Sequence, residues 1–318
     1  ILLSFSFFNL FSQGITFPDD PSQYGQETTN LVDGYGLLQN RSDYSDITVT
    51  FNRTAPSALS KTVSSSASGY FSAELEDGVY DITYTKDDFF PESLPDIAIY
   101  SNTTLSNLTL LERTTLIHVP SLFSTIEEAA ERAFEGDTIL IAEGQYNLNA
   151  KISITKNYVT IASNYIFSND YDDVKNTIIY GNNDRGISID GPDNIHISGL
   201  TIKNCHDGAI FFRFSNYNTI SHCILTENTG GRAAGVYVYD WSNVDIKNTI
   251  ISNNTADYSG AITVWSGSTA LTNCIIDENQ GKYGAIYGFS AQSLTIVNSI
   301  ISNNIDNDSN TNYSIQNI

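Results

Sequence analysis

The sequence predicts an all-β chain, a right-handed parallel β-helix preceded by a small antiparallel β-sandwich. Three observations carry that prediction. First, residues 186–304 repeat. Apolar positions recur at Ile197, Ile220, Ile246, Leu271 and Ile296, with steps of 23, 26, 25 and 25, and parallel columns run Ile187, Ile210, Val236, Ile262, Ile286 and Ile202, Leu225, Ile251, Ile276, Ile301. A fixed period in this range marks a solenoid whose units bury their apolar faces only against their neighbours. Second, each unit holds short β-branched runs with alternating apolar positions, broken by Gly, Asn, Ser and Asp, and no helical spacing. Third, two polar columns keep the same period: Asn228, Asn254, Asn279, Asn304 and Asn248, Asn273, Asn298. Amides stacked roughly 4.8 Å apart bond along the stack, and Asn tolerates left-handed turns, so these columns read as turn ladders rather than a site.

Taken in order, the 318-residue chain opens on ILLSFSFFNLFS, the hydrophobic part of a secretory signal without its charged front. The chain contains no Met, so Ile1 is not expected to be a native start. Residues 1–14 are assigned to the signal remnant and residues 15–30, polar with two prolines, to a linker. The expected location is secreted or at the cell surface, with no direct membrane insertion. The balance of 36 acidic against 15 basic residues, net −21, argues against nucleic acid as the partner.

Residues 31–113 read as a β-sandwich. Ile47, Val49 and Phe51 alternate with Thr48 and Thr50, and the turn at Asp77-Gly78 leads into Val79, Ile82 and Tyr84. Together with Ser68-Gly69-Tyr70-Phe71 and Thr104 to Leu110, this pattern resembles the carboxypeptidase regulatory-like (transthyretin-like) module. That resemblance implies a non-catalytic accessory of a secreted protein.

The β-helix is expected over 114–318. Ser124-Thr125-Ile126-Glu127 reads as a capping box opening a helix with the apolar stripe Ile126, Ala129, Ala130, Ala133, Phe134, closed by Gly136. Such a helix shields the open end of the first coil. His118-Val119-Pro120, Ser124-Thr125-Ile126, Gly136-Asp137-Thr138 and Gly144-Gln145-Tyr146 resemble the N-terminal cap of secreted pectin-lyase-like β-helix proteins. The Gly-Ala-Ile runs at 208–210, 260–262 and 284–286 resemble polymorphic outer-membrane-protein repeats, which imply surface adhesion, although the second Gly and the usual Phe of those repeats are missing. Because an open β-helix end exposes a pairing edge, further coils or a cap are expected after Ile318.

Two columns are expected to face outward: Ser188, Phe211, Tyr237, Thr263, Tyr287 and Asp190, Arg213, Tyr239, Trp265, Phe289. Aromatic rings hold most of these positions. Rings with interspersed Asp190 and Arg213 suit sugars, which present apolar faces and hydroxyl edges, so Phe211, Arg213, Tyr237, Tyr239, Trp265, Tyr287 and Phe289 are the candidate ligand-binding residues. The alternative is cross-strand stacking that stabilises the sheet, or burial of these rings under the sandwich module or a partner.

Catalysis has thinner support. Hydrolysis needs two carboxylates roughly 5–9.5 Å apart. Glu227 and Glu278 share a column two coils apart, with Asn253 between them, and Asp190 with Arg213 reads equally as a cross-strand ion pair. These four are the candidate catalytic residues. His118, His196, His206 and His222 share no column, so no histidine metal cluster is expected. The insertion at 168–174 places Asp170, Asp172 and Asp173 together as candidate calcium ligands, with a solvated acidic loop as the alternative. Cys223 and Cys274 share a column with Thr249 and Ser299 and read as small buried side chains. The resulting reading is an extracellular β-helix that binds polysaccharide or another cell's surface through its rings. The alternatives are a lyase or hydrolase of the pectin-lyase-like fold, and a structural spacer.

Overall fold

The structure, a computed structural model, describes residues 29–307 and 315–316. The signal remnant, all but the last two residues of the linker, and the end at Ile318 lie outside the described residues. The chain forms two compact units, residues 1–113 and 114–318. Among the described residues no helix is long and apolar enough to cross a membrane.

In the first unit, period-two alternation does what it predicts. Thr29–Leu38 buries every second residue, and Ile47, Val49 and Phe51 point inward with no exposed surface. One sheet runs Leu59–Ser64, Thr48–Ala55, Gly78–Thr85, Glu92–Ile99, all antiparallel. The other is mixed. Thr29–Leu38 pairs antiparallel with Tyr70–Glu76 but parallel with Thr103–Thr104 and Leu108–Leu110. The expected antiparallel sandwich is present, and within it the chain re-enters beside its own first strand in the same direction. Phe71 lies between Phe51 and Tyr84 at ring distances of 6.2 and 5.6 Å. Gly69 turns the chain at φ +85, where a Cβ would sit 2.2 Å from the Gly36 carbonyl oxygen.

The second unit is the right-handed parallel β-helix. Among the described residues three sheets of eight, seven and seven strands run along it, and a short four-stranded sheet joins them. The three predicted apolar columns pair rung by rung. The two Asn columns divide their labour. Asn228, Asn254, Asn279 and Asn304 are buried and chain their amides, Nδ2 to Oδ1, at 2.9–3.0 Å. Asn248, Asn273 and Asn298 instead hold left-handed corners at φ +50, +55 and +49.

The capping helix is Ile126–Arg132. Its cap is shifted by one residue from the expected box: Thr125 Oγ1 accepts from the Glu128 N–H at 3.1 Å. Glu127 accepts instead from the Asn149 N–H at 2.8 Å. Ile126, Ala129, Ala130 and Ala133 are buried, but Phe134 lies past the helix end and is exposed. The insertion forms two helical turns, Tyr165–Ser168 and Tyr171–Asn176.

Candidate binding cleft

The site is built on the sheet of strands Ile152–Ile154, Ile187–Asp190, Ile210–Arg213, Val236–Tyr239, Ile262–Trp265 and Ile286–Phe289. Alternation sends Ile187, Ile189, Ile210, Phe212, Val236 and Val238 into the core, where none has exposed surface. The residues between them point away from the core, and there the structure corrects an expectation. In the column Ser188, Phe211, Tyr237, Thr263, Tyr287, no side chain is more than 8% exposed. The cause is the loop ahead of each strand, which folds over the column. Ala233 packs on Phe211 and Tyr237. Thr263 Oγ1 donates to the Arg232 carbonyl at 2.6 Å, and Tyr283 stacks on Tyr287 at 4.4 Å. Burial pushes the Tyr237 hydroxyl pKa above its ordinary value. Phe211 and Tyr237 are therefore a packed floor, Tyr287 is packed farther along the same column, and none of the three is a free face.

The second column is the accessible one. Asp190 and Phe289 are exposed, and Arg213, Tyr239 and Trp265 are half-buried. Tyr239 meets Trp265 edge-on at 6.4 Å, and Trp265 lies 4.2 Å from Phe289. Arg213 forks onto both carboxylate oxygens of Asp190. That hydrogen bonding raises the Arg213 pKa, which removes it as a proton acceptor.

Between floor and rim lies a cleft of about 520 Å³ whose walls include Lys151, Arg185, Arg213 and Arg232. Four of the chain's 15 basic residues thus line one cavity of a protein with net charge −21. Among the described residues Asp190 is the one carboxylate on its walls. Arg185 lies 3.9 Å over the Phe211 ring and bonds Asp207 at 2.7 Å. Arg232 lies 4.3 Å over Trp265 and 5.3 Å from Tyr258. Among the described residues neither Lys151 nor Arg232 has a carboxylate partner. A guanidinium held flat on a ring keeps its N–H edge free for a planar anion.

The other candidates do not join this site. Glu227 and Glu278 sit at φ +56 in a left-handed corner column with Asn204, Asn253 and Asn303, after the strands of a different sheet. Glu227 pairs with Lys203 at 3.3 Å. The insertion carboxylates have separate roles. Asp170 caps the second helical turn, Asp172 pairs with Lys175, and Asp173 accepts from Ser168 Oγ. No three His, Cys, Asp or Glu side chains among the described residues are grouped to hold a metal ion.

The family model described as right handed beta helix region matches residues 137–304. The chain belongs to that family. No curated protein matches it. Among solved structures, a pectin methylesterase variant in complex with a hexasaccharide is 14% identical, covering 56% of this chain and 63% of its own, with a TM-score of 0.37. The catalytic domain of an alpha-1,3-glucanase in complex with tetrasaccharides is 12% identical, covering 80% and 74%, with a TM-score of 0.25. A type II cohesin–X-dockerin complex from Acetivibrio cellulolyticus is 16% identical, covering 33% and 74%, with a TM-score of 0.24. Likeness at these levels transfers no activity to this β-helix.

Sequence reasoning missed Lys151, Arg185 and Arg232. A signal was present for the two arginines. Each lies in the loop just ahead of a Gly-containing strand start, Gly186-Ile187 or Gly235-Val236, and that loop is what folds over the rings.

Proposed function

We propose that this β-helix is a binding protein for acidic polysaccharide, held in the cleft by rings and cations together, and that it works outside the cell. The observation that carries the reading is the convergence of Lys151, Arg185, Arg213 and Arg232 over an aromatic floor with Asp190 as the lone wall carboxylate. A sugar acid has the matching parts. Its C–H face suits the Tyr239 ring on the cleft wall, and its carboxylate suits the forked donors of a ring-stacked guanidinium. The overall charge of −21 repels anions elsewhere on the protein, so the attraction is local. A hydrolytic reading lacks its second carboxylate in the cleft.

The test is calorimetric titration with oligogalacturonate, oligomannuronate and oligoglucuronate. Binding of at least one is expected, weakening as salt rises. The double substitution Arg185→Gln/Arg232→Gln should weaken it tenfold or more. Affinity indifferent to both salt and the substitutions defeats the reading, and release of unsaturated ends during titration would replace it with polysaccharide elimination.

A further inference from the structure

The corner that follows the ring-bearing sheet carries aromatic side chains that neither core nor cleft uses. Phe214, Tyr217 and Trp241 are 53%, 71% and 65% exposed, and Tyr158, on the same corner, is 54% exposed. All four have left-handed backbone, at φ +51, +60, +61 and +59. Bulky residues seldom adopt that conformation, whereas Gly, Asn and Asp adopt it with least strain. Other points of this corner use such residues: Gly191 at φ +105, Asn194 at φ +61 and Asp240 at φ +44.

Backbone hydrogen bonds establish which positions correspond. The Tyr158 N–H donates to Asp193 O and the Asn194 N–H to Asn216 O, so Tyr158, Asn194 and Tyr217 stack coil on coil. The Phe214 N–H donates to Asp240 O, setting Phe214 against Asp240-Trp241 in the next coil. Rings at these points oppose folding twice, through strained backbone and through apolar surface left in water. Asn at Tyr217, as at Asn194, would avoid both. The rings are thus best explained by a role in the folded protein.

The polar groups among them define the ligand. Asp193 accepts from the Asn216 N–H at 2.7 Å, and Asp240 lies beside Trp241. Lys156 is nearby at the Tyr158 end, and Arg213, 5.8 Å from the Phe214 ring, is already held by Asp190. Rings stand on the coils of Tyr158, of Phe214 with Tyr217 and of Trp241, with the ring-free Gly191–Asn194 coil between the first two, and each coil rises roughly 4.8 Å, close to the length of one pyranose residue. Carboxylates and amides between the rings accept hydroxyl hydrogens, and they repel an anionic chain. We propose that the corner formed by Tyr158, Phe214, Tyr217 and Trp241 is a second binding site, for neutral polysaccharide, beside the cleft and over the same coils. The proposal stands whether or not the cleft binds an acid.

The experiment titrates the whole chain with cellohexaose, xylohexaose, mannohexaose and a β-galactan hexasaccharide. Wild type should bind at least one. Tyr217→Asn/Trp241→Asn should weaken that binding tenfold or more while melting no lower than wild type, because Asn accepts the left-handed backbone. Arg185→Gln/Arg232→Gln should change it less than twofold. The proposal is overturned if none of the four binds or if the Asn variant binds as wild type does. It is equally overturned if the arginine variant is the one that loses binding, which would place neutral sugars in the cleft. Binding of a Lys-rich peptide in place of all four saccharides would make the corner a protein-docking surface and end the proposal.

Discussion

Replacing Asn254 by Ala tests whether the buried amide ladder holds the coils together. Asn254 has no exposed surface. Its Oδ1 accepts from both the backbone N–H and the Nδ2 of Asn228 at 3.0 Å, and its Nδ2 donates to Asn279 Oδ1 and Leu225 O at 2.9 Å. Truncation leaves two buried donors of Asn228 without that acceptor, while Asn228 Nδ2 keeps its second bond to Ile202 O. Each orphaned buried donor costs about 1–3 kcal/mol, so the expected loss is about 4 kcal/mol. Equilibrium unfolding in guanidinium, followed by fluorescence of Trp241 and Trp265, the chain's two tryptophans, reads it out. The control is Asn273→Gly. It deletes an exposed amide bond to Asn248 but accepts φ +55, and it should cost less than about 1 kcal/mol. If Asn254→Ala cost as little as the control, the ladder would be incidental to stability.

Three further outcomes follow from the same geometry. Tyr237→Ala should cost about 3–5 kcal/mol in a thermal or chemical melt, because its ring is packed under Ala233, whereas half-buried Tyr239→Ala should cost much less. Burial pushes the Cys205 and Cys223 thiols up from 9.0 to about 12. Both should resist iodoacetamide at pH 8 until the chain unfolds. The thiol of an unfolded chain ionises first, so the stability these groups contribute is whole below pH 9.0 and is lost as pH climbs towards about 12; denaturation midpoints across that window check the sign. Glu227→Gln and Glu278→Gln should leave acidic-glycan affinity unchanged, since both side chains sit at a corner outside the cleft.

The architecture was legible because the inward columns obey a period that core burial enforces. A slip of one residue would turn every Ile of a strand to the other face. The same alternation says which side of a strand a residue occupies but not what covers that side. Phe211, Tyr237 and Tyr287 therefore stand on the outer face, where alternation puts them, under loops that alternation does not describe. The covering loops at 229–235 and 281–284 share the coil period where Thr229–Gly230 and Gln280–Gly281 join the short parallel sheet, but that period does not say that the rest of each loop folds back over the rings. The helix cap slipped by one because Ser124 and Thr125 are both competent caps and Glu127 and Glu128 both competent partners. Lys151 and Arg232 lie 81 positions apart in sequence, and only the stacking of coils puts them on one cavity.

The most direct test of the cleft compares one acidic oligosaccharide with its carboxyl-reduced form, equal in length and ring geometry, on wild type and on Arg232→Gln. If carboxylates are what the cations recognise, reduction weakens binding tenfold or more, and Arg232→Gln then has no further effect on the reduced sugar. Equal affinity for both forms, or an unchanged Arg232 effect after reduction, would contradict the claim that this cleft recognises acidic polysaccharide.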